Sequence, residues 1–148
     1  MSTFQFVDTN VLVYVFDSSE PLKQNIASNL LRTEGASGKL ILSTQVLQEF
    51  FVTVTRKLAK PLDTETAYRA LEQFAEYPLI SPDKQMVLSA ARRHLGDMVS
   101  FGDALSVEAA LTAGCSELLS EDLQHERQFD DLVVINPFIS ASKSIHEP

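Results

Sequence analysis

The sequence predicts an α/β fold built on a parallel sheet covered on both faces. Three observations lead there. Short apolar segments alternate with helix-like ones along the chain, the order expected of strand–helix–strand units. No repeat, low-complexity tract or linker divides the 148 residues, a length that suits one domain with a substantial core. Apolar residues make up 45% of the chain and charged ones 22%, the balance of an ordinary globular domain and not of a disordered one.

The elements follow in order. Phe4 to Val7 is a short apolar strand, and Pro21 to Thr33 reads as a helix with Ser19 as its cap and Gly35 as its stop. Lys39 to Ser43 (KLILS) is a second strand. Thr44 then caps a helix through Lys57 whose stripe is Val46, Leu47, Phe50, Phe51, Val54 and Leu58. Asp63 caps a helix through Glu76, and Pro78 to Ile80 is a weak strand or an extended connector. Ser81-Pro82 pairs a cap with a proline at the first helical position, opening a helix to about Leu95. A further helix covers Phe101 to Ala113 and stops at Gly114; Ser116 to Ser120 (SELLS) and Leu132 to Asn136 (LVVIN) are the last strands. The expected organisation is one domain over 1–138 and a short, polar, poorly ordered tail over 139–148.

Composition narrows the function. A net charge of −8 has the wrong sign for binding nucleic acid through bulk charge, so such a role needs a local basic patch or a metal ion. No apolar run reaches the roughly 20 residues of a membrane span, and the N-terminus lacks the basic and apolar regions of a secretory signal. Cys115 is the only cysteine, which excludes a disulfide scaffold and a thiolate zinc site and makes a reducing cytoplasm the expected setting. His94, His125 and His146 are too far apart for a histidine-rich metal site.

Four acids stand out. Asp8 directly follows the first strand and Asp122 holds the matching place after SELLS, which puts both at the carboxyl edge of the sheet, where α/β folds carry their sites. Extended geometry sends Ser120 and Asp122 to one side and Glu121 to the other. On a helical wheel Asp103 lies within the apolar arc, flanked by Val107 and Ala110, and Glu49 borders the apolar stripe of its helix. Each has a plain alternative. Asp8 could cap a short VLVYVF helix, Asp103 could favour its helix dipole, Asp122 could sit in a turn, and Glu49 could be solvated. As a group they are harder to dismiss, because two carboxylates about 4 Å apart repel by about 4 kcal/mol at an effective dielectric near 20. Oxygen-only donors suit hard cations such as Mg²⁺ or Mn²⁺.

The segments FVDTNVLVY, STQVLQEFF, GDALSVEAAL and LLSEDLQ, with VVINPF after them, resemble the PIN-domain ribonucleases and, within these, the VapC-type toxins of toxin–antitoxin pairs. The resemblance implies a three-layer α/β/α sandwich with a central parallel sheet and a Mg²⁺- or Mn²⁺-dependent endoribonuclease. It gives Asp8, Glu49, Asp103 and Asp122 as the four catalytic acids, with Asp8, Asp103 and Asp122 as metal ligands. Thr9, Asn10 and Ser120 become the polar residues that orient them, and Glu49 holds or activates the attacking water. It further implies an RNA substrate, a cognate antitoxin whose C-terminal segment covers the acidic groove, and a homodimer. Three positions depart from the pattern. Gly102 stands where relatives often have a bulky aromatic, Glu126 where many have glycine, and Ser106, in the apolar arc beside Asp103, is less apolar than usual. Arg56, Lys57 and Lys60, or Arg92 and Arg93, are candidates for contacts to an RNA backbone, with solvated helix ends as the plain alternative.

Rival readings fare less well. A haloacid-dehalogenase-type phosphatase needs an acid where Asn10 stands, and a receiver-like phospho-acceptor domain needs a lysine soon after a late strand, which neither SELLS nor LVVIN has. A non-catalytic RNA- or protein-binding module of the same fold remains the principal alternative.

Overall fold

Phe6 and Val7 are both fully buried although successive residues of a strand point to opposite faces. The sheet must therefore be covered on both sides, and the computed structural model, which describes residues 3–139, has that arrangement. In chain order the elements are β1 (Gln5–Val7), α1 (Thr9–Tyr14), α2 (Pro21–Gly35), β2 (Leu40–Ser43), α3 (Thr44–Arg56), α4 (Thr64–Phe74), β3 (Leu79–Ile80), α5 (Lys84–Asp97), α6 (Phe101–Thr112), β4 (Glu117–Leu119), β5 (Gln128–Phe129) and β6 (Leu132–Ile135). The sheet order is β3-β2-β1-β4-β6-β5; all neighbours are parallel except β5, which pairs antiparallel with β6 at the edge. This is the expected three-layer architecture with one antiparallel edge strand added. At two residues, β5 carries too little pattern to be seen in the sequence.

The helix starts show what local chemistry decided. Ser43, not Thr44, caps α3, its Oγ accepting from the Val46 amide at 3.1 Å. Asp83, not Ser81, caps α5 by accepting from the Met86 amide at 2.9 Å, so Pro82 stays in the extended lead-in. A carboxylate outcompetes a hydroxyl there because it also complements the helix dipole. Ser19 does not cap α2; its hydroxyl donates to Asp17 instead. Asp63 caps α4 as expected. Gly35 does not stop α2 but ends inside it. A Cβ there would lie 2.8 Å from the Tyr77 hydroxyl, so this glycine serves a close approach, and the left-handed turn falls at Gly38 (φ 75°).

The core joins the two sides of the sheet. Phe50 and Phe74 stack edge to face at 5.1 Å between α3 and α4, and α6 buries Ala104, Leu105, Val107, Ala109 and Ala110. Phe138 is fully buried and meets Tyr14 edge to face at 4.9 Å, which fastens the segment after β6 to α1. The polar tail expected over 139–148 lies, beyond Ile139, outside the described residues.

Candidate metal centre

Register brings the first two acids together. Val7 pairs with Leu119 in the parallel ladder β1–β4, and the Asp8 amide donates to the Leu119 carbonyl at 3.0 Å. The residues that follow, Asp8 and Ser120, therefore emerge side by side at the carboxyl ends of their strands. Ser120 Oγ donates to Asp8 Oδ2 at 2.8 Å, and the Asp122 amide donates back to that Oγ at 3.1 Å. One hydroxyl thus fixes both acidic segments. Asn10 completes the link, its Nδ2 donating to Ser120 Oγ at 3.2 Å and its Oδ1 accepting from the Glu121 amide at 3.1 Å.

The third acid arrives on a helix. Ser100 caps α6 by accepting from the Asp103 amide at 3.1 Å, which sets Asp103 in the first turn, half-buried and facing the sheet edge. Carboxylate oxygens of Asp8, Asp103 and Asp122 lie within 4.8 Å of one another. Glu49 is not part of that trio. It lines the same cavity from α3, its Oε1 accepting from Thr9 Oγ1 at 2.7 Å and its Oε2 from Gln45 Nε2 at 3.0 Å. The plain alternative for Asp8 also holds, since Oδ1 accepts from the Thr9 amide at 2.9 Å and opens α1. Capping and clustering are compatible because the two oxygens of one carboxylate face different neighbours.

Two further residues bear on the site, and Ser106 is already marked in the sequence as less apolar than its place on the helix suggests. Ser106, buried in the otherwise apolar arc of α6, donates to Asp8 Oδ1 at 3.2 Å; a hydroxyl amid apolar neighbours was its visible signal. Glu121 turns away from the trio to pair with Lys23 at 2.5 Å and accept from the Tyr14 hydroxyl, contacts that need α1 and α2 in place. Among the proposed RNA contacts, Lys57 lines the cavity, whereas Arg93 is committed to Glu108 at 2.6 Å and Asp97 at 3.1 Å. Arg93 is a packing residue, drawn inward because α5 and α6 lie side by side.

The electrostatics are those of a site short of positive charge. Burial pushes the Asp8 carboxyl up to about 7, against the opposing pull of the Ser120 and Thr9 hydrogen bonds, and the charges of Asp103 and Asp122 add to the rise. Burial also raises Asp103, with Asp122 and Glu49 contributing. No Lys, Arg or His among the described residues pairs with any of the trio or with Glu49. The cavity in front of them measures about 660 Å³ and also has Asp17 and Glu121 on its walls. Three converging carboxylates that pair with no cation among the described residues are a donor set that fits a hard divalent ion.

A family model described as PIN domain matches residues 6–129. No curated protein matches the sequence. Among solved structures, Mycobacterium tuberculosis VapC20, a sarcin-ricin loop cleaving toxin, superposes with a TM-score of 0.63 at 18% identity, covering 77% of this chain and 86% of its own. A toxin–antitoxin complex from Klebsiella pneumoniae gives 0.67 at 15% identity, covering 90% and 97%. VapBC2 from Rickettsia felis, bound to a DNA fragment from its promoter, gives 0.61 at 17%, covering 90% and 98%. At these identities the structural likeness is one of fold.

Proposed function

The chain belongs to the PIN-domain family, and on that premise we propose that it is a divalent-metal-dependent endoribonuclease, the toxin of a toxin–antitoxin pair. The observation that carries this reading is the convergence of Asp8, Asp103 and Asp122 in a cavity where no Lys, Arg or His among the described residues pairs with them. Each ionised pair at that spacing costs about 3–4 kcal/mol at an effective dielectric near 20, which a protein without use for a cation would have no reason to bear.

Asp8, Asp103 and Asp122 would hold Mg²⁺ or Mn²⁺. When bound, the ion offsets phosphate charge and polarises the scissile phosphodiester. The remaining work falls to the protein. Ser120, Ser106 and the Thr9 amide hold Asp8 in one orientation, and Asn10 and Ser120 hold the segment that carries Asp122. Glu49, standing apart from the trio with its oxygens accepting from Thr9 and Gln45, would orient a water and take its proton. Lys57, on the cavity wall, is the residue best sited to contact the RNA backbone, with Arg56 and Lys60 nearby in sequence and exposed. The cavity's acidity also suits inhibition by an antitoxin segment that presents basic side chains, and the toxin–antitoxin complexes of like fold make such a partner the natural expectation.

The experiment is RNA cleavage with Mg²⁺, with Mn²⁺ and with a chelator, for the wild type and for Asp8→Asn. Metal-dependent cutting that Asp8→Asn abolishes is expected. Cleavage in chelator, or full activity in a folded Asp8→Asn, overturns the proposal. Binding of RNA without any cutting in either metal would instead favour the non-catalytic module.

A further inference from the structure

Gln45 keeps an arrangement that a packing residue would not keep. It lies one helical turn before Glu49 on α3, and its Nε2 donates to Glu49 Oε2 at 3.0 Å. Its own Oε1 is buried and has no hydrogen-bond partner among the described residues. A side-chain amide presents a donor face and an acceptor face, and a buried unpaired carbonyl is uncommon and costly. Reversing the amide would set Oε1 against the Glu49 carboxylate, oxygen to oxygen. The orientation is therefore the one dictated by Glu49, at the carbonyl's expense.

Gly102 makes the space. A Cβ built there would lie 3.4 Å from Glu49 Oε2 and 3.7 Å from Gln45 Nε2, so a methyl group just fits and any longer side chain would enter the volume of the pair. The second residue of α6 is thus open where Gln45 and Glu49 rest against it, next to Asp103. Thr9 closes the other side, donating from the start of α1 to Glu49 Oε1 at 2.7 Å. The carboxylate is held by α1 and by its own helix and lies beside Gly102 of α6, and α1 and α6 adjoin Asp8 and Asp103.

We propose that Gln45 is a positioning residue for Glu49, fixing the carboxylate in the cavity from the α3 side in a slot that Gly102 leaves open. This rests on the nuclease reading only for its consequence in turnover; the pairing itself is independent of it. Gln45 touches neither the acidic trio nor the reacting groups and acts through Glu49.

Two measurements on the full chain decide it. In the first, the Gln45 side-chain amide is followed by NMR. A slowly exchanging Nε2 proton that shifts and exchanges faster in Glu49→Gln is expected, and an amide indifferent to that change overturns the proposal. The second is a double-mutant cycle on RNA cleavage. Gln45→Met, of similar length but without the donor, should lower kcat by roughly 10- to 100-fold with KM and Tm nearly unchanged. The same change in a Glu49→Gln background should cost less than about twofold. Gly102→Leu should resemble Gln45→Met, whereas Gly102→Ala should stay close to wild type. Equal losses from Gln45→Met in both backgrounds, or a loss that follows Tm, would assign Gln45 to packing and overturn the proposal. Absence of cleavage by the wild type in either metal overturns the nuclease reading, and the amide response, which needs no turnover, still decides whether Gln45 holds Glu49.

Discussion

Acids gather in two places on this protein, and α6 supplies one to each. Near its C-terminal half, Glu108 meets Arg93, which also pairs with Asp97 and lies over the Phe129 ring at 5.4 Å. In its first turn, Asp103 meets Asp8 and Asp122 and, among the described residues, no cation. The first cluster is satisfied internally: opposite charges meet in a partly buried setting with the guanidinium fork well used. The second is left unsatisfied, with Asp8 raised to about 7 by burial. The same residue types on the same helix thus do different work. One cluster holds α5 against α6, and the other, on the proposed reading, is the place for a cation from outside.

The largest effect expected is at the unsatisfied cluster. Asp8→Asn should reduce RNA cleavage by at least about 1000-fold, since a metal-ligating carboxylate supports several kcal/mol of transition-state stabilisation. The same substitution should raise the Tm of the metal-free protein at pH 8, because it removes a charge from a buried position. An Asp8→Asn protein less stable than wild type at that pH would mean that the cluster is already balanced by the chain.

Next in size is the pH dependence of the metal-free wild type. Folding raises the Asp8 pKa from 3.8 to about 7, so the folded state holds a proton that the unfolded state releases. The resulting stabilisation is fully present below pH 3.8 and is lost as pH rises through about 7, a difference of about 4 kcal/mol from this group, with Asp103 adding in the same direction. Denaturant melts in chelator from pH 4 to pH 8 should show it against the contributions of other groups, and Mg²⁺ should restore more stability at pH 8 than at pH 5. A stability independent of Mg²⁺ at pH 8 would contradict the contrast between the clusters.

The satisfied cluster should respond in the opposite manner. Arg93→Met should cost about 3 kcal/mol in urea denaturation, because it leaves Glu108 without its partner, and the loss should not depend on metal. The smallest effect concerns backbone strain. Glu126 adopts a left-handed conformation (φ 71°), so Glu126→Gly should stabilise the fold by about 1 kcal/mol by thermal melting, with little change in metal binding.

This last position illustrates how local knowledge can be read ahead of a structure. Glycine was the residue expected at 126 by resemblance, and the backbone there has the conformation that favours glycine. Gly102 was likewise visible as a departure, but its reason, the Gln45–Glu49 pair resting against α6, was not. The partners Gln45 and Glu49 share one helix, yet the surface they meet comes from a segment more than 50 residues away. Ser43, Asp83 and Glu20 fell one or two positions from the expected helix starts because several polar residues compete at each boundary, and only the folded backbone selects among them.

By itself, the sequence determined the alternation of strands and helices, the covered sheet, and the placing of acids at strand ends and helix starts. These follow from periodicity and chain order, which are local properties. Tertiary structure decided which acids meet. The register that sets Val7 beside Leu119 brings Asp8 to Ser120, the cap at Ser100 turns Asp103 toward them, and Thr9 with Gln45 keeps Glu49 apart from the trio. It also gave Arg93 to Glu108 and, among the described residues, no cation to Asp8. Distances between residues far apart in the chain depend on packing and pairing, and so the charge balance of each cluster is a property of the fold and not of any segment.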